Sequence, residues 1–146
     1  MEPTERERAL DAAARALARR DLTASELAAR LERRGIPPSA RTEAVQTFER
    51  LGYLDDERFA RDRAAALADR GLGDAGVRHD LEGRGVSSEA VDASIAALEP
   101  EQARAARQAA KLGGGLRAAR SLARRGFAEE SIADALASIV ADDGLE

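Results

Sequence analysis

Apolar residues return along this chain in steps of three and four, and the whole pattern is written three times. Aligned on Gly35, Gly85 and Gly126, the copies place a leucine four residues earlier (Leu31, Leu81, Leu122) and an arginine immediately before (Arg34, Arg84, Arg125). An apolar residue follows directly (Ile36, Val86, Phe127). Further apolar residues stand ten positions on (Val45, Ile95, Leu136) and thirteen on (Phe48, Leu98, Ile139). Six positions on, the copies read Arg41, Val91 and Ile132, so only the first departs. Such internal self-similarity, with copies 50 and 41 residues apart, marks a repeat architecture.

The spacing predicts a helix before each glycine, with Leu27 and Leu31, Val77 and Leu81, or Ala118 and Leu122 on one face at i, i+4. Each glycine closes its helix in the left-handed conformation, and the arginine before it suits the negative end of the helix dipole. A second helix follows, carrying in the middle copy the stripe Val91, Ile95, Leu98. A longer helix precedes each pair. Its apolar stripe is expected through Leu10, Ala13, Ala14, Leu17 and Ala18 in the first copy, and through Phe59, Ala66 and Leu67 in the second. In the third, over residues 100–112, the stripe reads Ala103, Ala106 and Ala110, and its packing is expected to be close but weak, because alanine buries little area.

Boundary signals agree with this division. Thr23-Ala-Ser-Glu26 reads as a capping box, Asp55 and Asp56 as an N-cap pair, and Pro100 as a first-turn proline. Gly71-Leu-Gly73 and Gly113-Gly-Gly115 read as turns. The expected fold is all-α: three three-helix, helix-turn-helix-like repeats in tandem, elongated and curved. The repeats cover residues 1–54, 55–99 and 100–141, followed by an acidic tail over 142–146. The residues expected to carry the structural signature are Leu31, Gly35, Asp56, Phe59, Leu81, Gly85, Leu122 and Gly126.

Composition supports helices, since Ala, Leu, Arg and Glu dominate and aromatics make up only 3% of the chain. There is no cysteine, which excludes disulfides, thiolate metal sites and cysteine nucleophiles. No apolar run approaches the ~20 residues of a membrane-spanning helix, and the start of the chain lacks a secretory signal, so a soluble, cytoplasmic protein with no membrane contact is expected.

Net charge is −4, which argues against a protein devoted to non-specific duplex DNA binding. The charge is unevenly spread. Residues 1–54 carry ten basic and nine acidic side chains, and residues 55–99 carry six and eleven. Between Arg104 and Arg125 there are seven basic residues and no acidic one: Arg104, Arg107, Lys111, Arg117, Arg120, Arg124 and Arg125. The first three recur at i, i+3, i+7, as do Arg117, Arg120 and Arg124, so each set is expected on one helix face. Without acidic counterweight, this stretch is the candidate surface for an anionic partner, either nucleic acid or an acidic protein. It has no interleaved aromatics for stacking bases.

Other candidates carry little chemistry. His79, the only histidine, stands among charged residues without converging partners. Asp55-Asp-Glu57 lacks calcium-loop spacing, and helix capping accounts for it better than a metal does. Gly113-Gly-Gly115 lacks the Gly-Lys-Ser/Thr ending of a phosphate cradle. No nucleophile–base–orienter set can be assembled, so neither catalysis nor a cofactor or metal is expected.

Taken in order, Gly52-Tyr-Leu-Asp-Asp-Glu-Arg-Phe-Ala60, Arg70-Gly71-Leu-Gly73, Val77-Arg78 through Leu81, and Arg84-Gly85-Val86 resemble the RecX family, bacterial regulators of the recombinase RecA. Leu17-Ala-Arg-Arg20 through Thr23-x-x-Glu26-Leu27 and Leu122-Ala-Arg-Arg-Gly-Phe127 fit as well, so the resemblance spans residues 8 to 140 or so. It implies a non-enzymatic monomer that lodges in the groove of the RecA–DNA filament. Such a protein would suppress ATP hydrolysis, strand exchange and co-protease activity, and so modulate recombination, repair and the SOS response, with DNA contact weak or indirect. Two readings compete with it: a helix-turn-helix module acting on DNA without RecA, and an α-solenoid adaptor for another protein.

Overall fold

The computed structural model describes residues 1–144, and side chains as far as residue 139. Nine helices and no strand occur among the described residues. They are α1 (Glu5–Arg19), α2 (Ala24–Arg33), α3 (Pro38–Arg50), α4 (Asp56–Asp69), α5 (Asp74–Gly83), α6 (Ser88–Ala96), α7 (Glu101–Leu112), α8 (Gly115–Arg124) and α9 (Glu129–Gly144). The chain is all-α, and its helices fall into three successive sets of three, as the repeats require. The acidic tail expected from residue 142 is helical as far as Gly144, and residues 145 and 146 lie outside the described residues.

Local chemistry fixes the helix ends. Thr4 caps α1 by accepting from the Glu7 N–H, and Thr23 caps α2 with both hydrogen bonds of the capping box, Glu26 N–H to Thr23 Oγ1 at 3.1 Å and Thr23 N–H to Glu26 Oε1 at 3.0 Å. Asp55 caps α4 through the Arg58 N–H at 3.0 Å. Pro100 stands one place earlier than expected, as the N-cap of α7. Gly35, Gly85 and Gly126 close α2, α5 and α8 with φ of 79°, 81° and 87°. The Ile36, Val86 and Phe127 that follow are buried against these turns.

The centre of each three-helix set is lined by residues smaller than the stripe drawn through the leucines. In the first helix of each set, the fully buried pairs are Ala9 and Ala13, Ala60 and Ala64, and Ala105 and Ala109. In the third helix the corresponding small residues, Ala40 and Ala44, Ala90 and Ser94, and Ser131 and Ala135, are buried to at least nine-tenths. Ala14, Ala18, Ala66, Ala103 and Ala110, expected inside, are exposed, while Leu10, Leu17, Phe59 and Ala106 are half-buried. A three-helix unit this thin has room on its axis for methyl groups, and the bulkier side chains close over the rim. Small residues at i, i+4 let helix backbones approach, and the close packing recovers dispersion contacts that alanine's small area would otherwise forgo.

The chain forms two compact units, residues 1–59 with 84–87, and residues 60–83 with 88 onward. In the first, α1, α2 and α3 enclose a core of Leu27, Leu31, Ile36, Leu22 and Leu54 around the alanines. In the second, α7 packs most extensively on α9, with Leu122 and Phe127 between them and α8.

Each unit contains one copy of the same joint. The start of α2 is gripped by Asp56, whose Oδ1 accepts from the Ala24 N–H at 2.9 Å, and by Arg84, whose carbonyl accepts from Thr23 Oγ1 at 2.6 Å. The start of α5 is gripped by Glu101, whose Oε2 accepts from the Asp74 N–H at 2.8 Å. There the carbonyls of Arg125 and Gly126 accept from the Gly73 and Ala75 N–H groups at 2.8 and 3.1 Å. A helix start has four N–H groups without intrahelical acceptors, and the joint supplies an acceptor to one at α2 and to three at α5. Backbones meet closely here: a Cβ on Gly126 would lie 2.2 Å from the Gly76 nitrogen, and one on Gly85 2.4 Å from the Ser25 Cβ. A Cβ on Gly35 would meet nothing within 4 Å.

That contrast sets an expected outcome. Gly35→Ala costs about 1–2 kcal/mol, the penalty of a left-handed alanine. Gly126→Ala adds a backbone collision at the same φ and costs more than ~4 kcal/mol, in the range reserved for severe core disruption. Urea unfolding of the two variants measures both, and equal losses would show that the close approach at Gly126 contributes nothing.

Candidate interaction surface

The seven basic residues of the 104–125 stretch divide into two groups with different work. Arg104 does not share an exposed face with Arg107 and Lys111, because it is only 5% exposed. Its Nε donates to the Glu99 carbonyl at 2.9 Å, its Nη1 to the Leu72 carbonyl at 2.9 Å, and its Nη2 to the Asp74 carboxylate. The planar guanidinium thus clips the start of α5 to the start of α7, a geometry that a lysine ammonium does not reproduce. Arg107 is exposed but held in a two-pronged pair with Glu99, at 3.0 and 2.7 Å. That hydrogen bond holds the Glu99 carboxyl below its ordinary value and raises Arg107. Arg125 donates to the Arg70 carbonyl at 3.0 Å and to Ser121 Oγ at 3.2 Å, within the second joint.

Lys111, Arg117, Arg120 and Arg124 remain. All four are exposed, and none has an ion-pair partner among the described residues. The last three stand at i, i+3, i+7 on α8 beside Leu116, which is 66% exposed. No side chain caps the start of α8, where Gly114 is the N-cap, so its free N–H groups add to the positive potential.

A second basic cluster escaped the reading of the sequence. Arg15 and Arg19 on α1, with Arg30 on α2 and Arg34 at its C-cap, line one groove whose floor is Ala12, Ala16 and Leu31. Only Arg15 has an acidic neighbour, Asp11 at 3.1 Å. The balanced count of acids and bases over residues 1–54 conceals this segregation. The signal that reveals it is a pair of arginines at i, i+4 on each of two adjacent helices.

Glu101 is the other residue that the sequence left unremarked. Burial pushes its carboxyl up, but donors outweigh burial: Ser131, the N–H groups of Ala128 at 3.0 Å and Asp74 at 2.8 Å, and the charge of Arg104 hold it below its ordinary value. Elsewhere the candidates keep to structural tasks. His79 is exposed, Asp55 and Asp56 cap two different helices, and Gly113 closes α7 in the left-handed conformation. Among the described residues no three His, Cys, Asp or Glu side chains converge as metal ligands, and no helix is long and apolar enough to cross a membrane.

These features define an all-helical array of three-helix repeats that offers charged surfaces. Comparison with known proteins identifies the array. Residues 9–48 match the family model for the first three-helix domain of RecX. Regulatory protein RecX of Halorhodospira halophila is 35% identical over 91% of this chain and 89% of its own length. That of Xanthomonas axonopodis pv. citri is 36% identical over 80% and 78%. The crystal structure of RecX from Lactobacillus salivarius superposes with a TM-score of 0.80 at 14% identity, covering 92% of this chain and 96% of that one. The chain belongs to the RecX family of regulatory proteins.

The Arg104–Glu101 cluster makes its own prediction. Arg104→Met strands the Asp74 carboxylate and two carbonyls and costs about 3–5 kcal/mol of unfolding free energy. Glu101→Gln costs about 1–3 kcal/mol at neutral pH, the range for a hydrogen bond to a charged group. Because the folded carboxyl is depressed, its contribution is complete above the unfolded pKa of about 4.3 and fades as pH falls through the folded value. Urea unfolding between pH 7 and pH 3 checks this: the gap between Glu101→Gln and the parent must narrow on acidification.

Proposed function

We propose that this chain is a non-enzymatic, cytoplasmic regulator that binds RecA or the RecA–DNA filament. In this reading it inhibits ATP hydrolysis, strand exchange and co-protease activity, modulating recombination and repair. Membership of the RecX family supports the regulatory role. The observation that carries the contact is the α8 face, where Arg117, Arg120 and Arg124 are exposed and unpaired while Arg104, Arg107 and Arg125 are engaged within the protein. Cations without local partners keep their interaction free energy for a ligand, whereas paired ones do not. The protein acts as a monomer and needs no cofactor for this, and the division into repeats at residues 54 and 99 provides successive docking modules.

A titration of the cognate RecA's DNA-dependent ATPase tests the reading. The parent protein inhibits at substoichiometric amounts. Reversing Arg117, Arg120 and Arg124 to glutamate raises the half-inhibitory concentration at least ~10-fold, equivalent to about 1.4 kcal/mol of lost contact, with helicity unchanged. Undiminished inhibition by the triple variant would show the α8 face to be idle.

The arginine groove favours a second reading, direct contact with nucleic-acid phosphates. Its arginines stand about 6 Å apart along each helix, a spacing that calls for a row of anions. On this reading Arg19→Gln, Arg30→Gln and Arg34→Gln together flatten the slope of log affinity against log salt by about 2–3 for a labelled oligonucleotide without RecA. An unchanged slope in fluorescence anisotropy would exclude it.

A further inference from the structure

Each of the two joints combines a receiving half, the start of a repeat's second helix, with a gripping half from the next repeat. The gripping half consists of the acid that opens a first helix and the arginine–glycine turn: Asp56 with Arg84-Gly85, and Glu101 with Arg125-Gly126. The first repeat carries the same half in Glu5, the first residue of α1, and Arg34-Gly35. Register confirms the equivalence, since Glu5, Asp56 and Glu101 each precede the two buried alanines of their helix at i, i+4, i+8. Nothing fills this third gripping half among the described residues. Glu5, Arg34 and Gly35 are exposed, the Arg34 side chain has no hydrogen bond or ion pair, and the space over Gly35 is open.

We propose that the Glu5–Arg34–Gly35 face is a docking site for the N-terminus of a helix on a partner protein, one that begins with Thr or Gly and carries a carboxylate three residues later. The filled joint at α2 defines that occupant. Thr23 donates its hydroxyl to the Arg84 carbonyl, the Ala24 N–H reaches Asp56, and Glu26 pairs with the Arg84 guanidinium at 3.1 Å. Arg34 occupies the position of Arg84, and Arg15, Arg19 and Arg30 beside it in the groove strengthen the demand for a carboxylate.

A second copy of this chain does not meet the description. Its free receiving half is the start of α8, where Arg117 stands at the position of Glu26 and Leu116 at that of Ser25. Docked end to end, Arg117 would face Arg34, and a leucine would occupy the place where Gly85 lies against Ser25. The start of α8 therefore does not fit the grip of a second copy, while the grip on the first repeat stays open to a helix of the right charge.

The full chain can serve as its own probe. Leu116→Ser with Arg117→Glu gives α8 the chemistry of a fitting partner. Sedimentation equilibrium up to about 1 mM reads dissociation constants into the millimolar range. The parent is expected to remain monomeric and the double variant to associate, its mass rising with concentration. Adding Arg34→Glu to the double variant is expected to weaken that association at least ~10-fold. A double variant that keeps its helicity and stays monomeric throughout overturns the proposal, as does association indifferent to Arg34→Glu. Self-association of the parent that Arg34→Glu abolishes also overturns it, by making a second copy the occupant. Should the double variant lose its helical circular dichroism, Arg117→Glu alone must associate more than the parent, and no difference overturns the proposal. RecA takes no part in these measurements, so their outcome stands apart from the regulatory reading.

Discussion

The structure depends on finding acceptors for the N–H groups at the start of α2 and α5, the second helices of the first two repeats. A helix start facing protein cannot leave those groups to water, and side-chain capping satisfies at most one or two of them. Here the Ala24 N–H of α2 is met by the Asp56 carboxylate, and at α5 the Gly73, Asp74 and Ala75 N–H groups are met by Glu101 and by the carbonyls of Arg125 and Gly126. Both donors and acceptors are backbone or short side chains, so the joint works only if two backbones come nearly into contact. That requirement explains why glycine, and no residue with a Cβ, stands at 76, 85 and 126. It also explains why the residue before the turn glycine is an arginine long enough to reach outward to Glu26 or the Arg70 carbonyl.

Alanine cores and polar joints make the same kind of structure. Methyl groups buried on the axis contribute little transfer free energy, about 0.8 kcal/mol for each buried carbon, so a three-helix unit built on them is only modestly stable alone. The hydrogen-bonded joint compensates by tying one repeat's helix start to the next repeat, and buried charge takes part. Arg104 and Glu101 are fully partnered, and no buried side-chain polar atom among the described residues lacks a hydrogen bond. Such a network is costly to break at one member and specific about register, which is what a modular array needs where its hydrophobic cores are small.

Much of the fold was legible because helix ends and turn residues report local chemistry. The capping box at Thr23, the left-handed glycines and the buried Leu31, Leu81 and Leu122 follow from spacing alone. In the first helices the stripe was right at Ala13 and Leu67 but missed Ala9, Ala60, Ala64, Ala105 and Ala109, since a stripe weighted by hydrophobicity runs through Leu10 and Leu17, whereas close helix contact selects small residues. The basic stretch failed for a different reason. Charge patterning gives the face of a helix but not the partners that lie across it in space. Arg104 looked equivalent to Lys111, yet it is buried against a carboxylate and carbonyls thirty residues away in sequence. The groove of Arg15, Arg19, Arg30 and Arg34 was hidden by the same limit in reverse: nearby acids in sequence lie off the groove in space.

Repetition with unequal ends has a further consequence for how such a chain can act. An open heterologous joint propagates indefinitely unless a terminal repeat refuses the next copy. On the docking proposed above, that refusal would fall to two exposed residues, Leu116 and Arg117, at the start of α8. Of the three cations on the α8 face, Arg117 stands where α2 carries Glu26, whereas Arg120 and Arg124 align with Ala29 and Arg33. Cation enrichment on α8 thus leaves a surface whose charge has no ion-pair partner among the described residues.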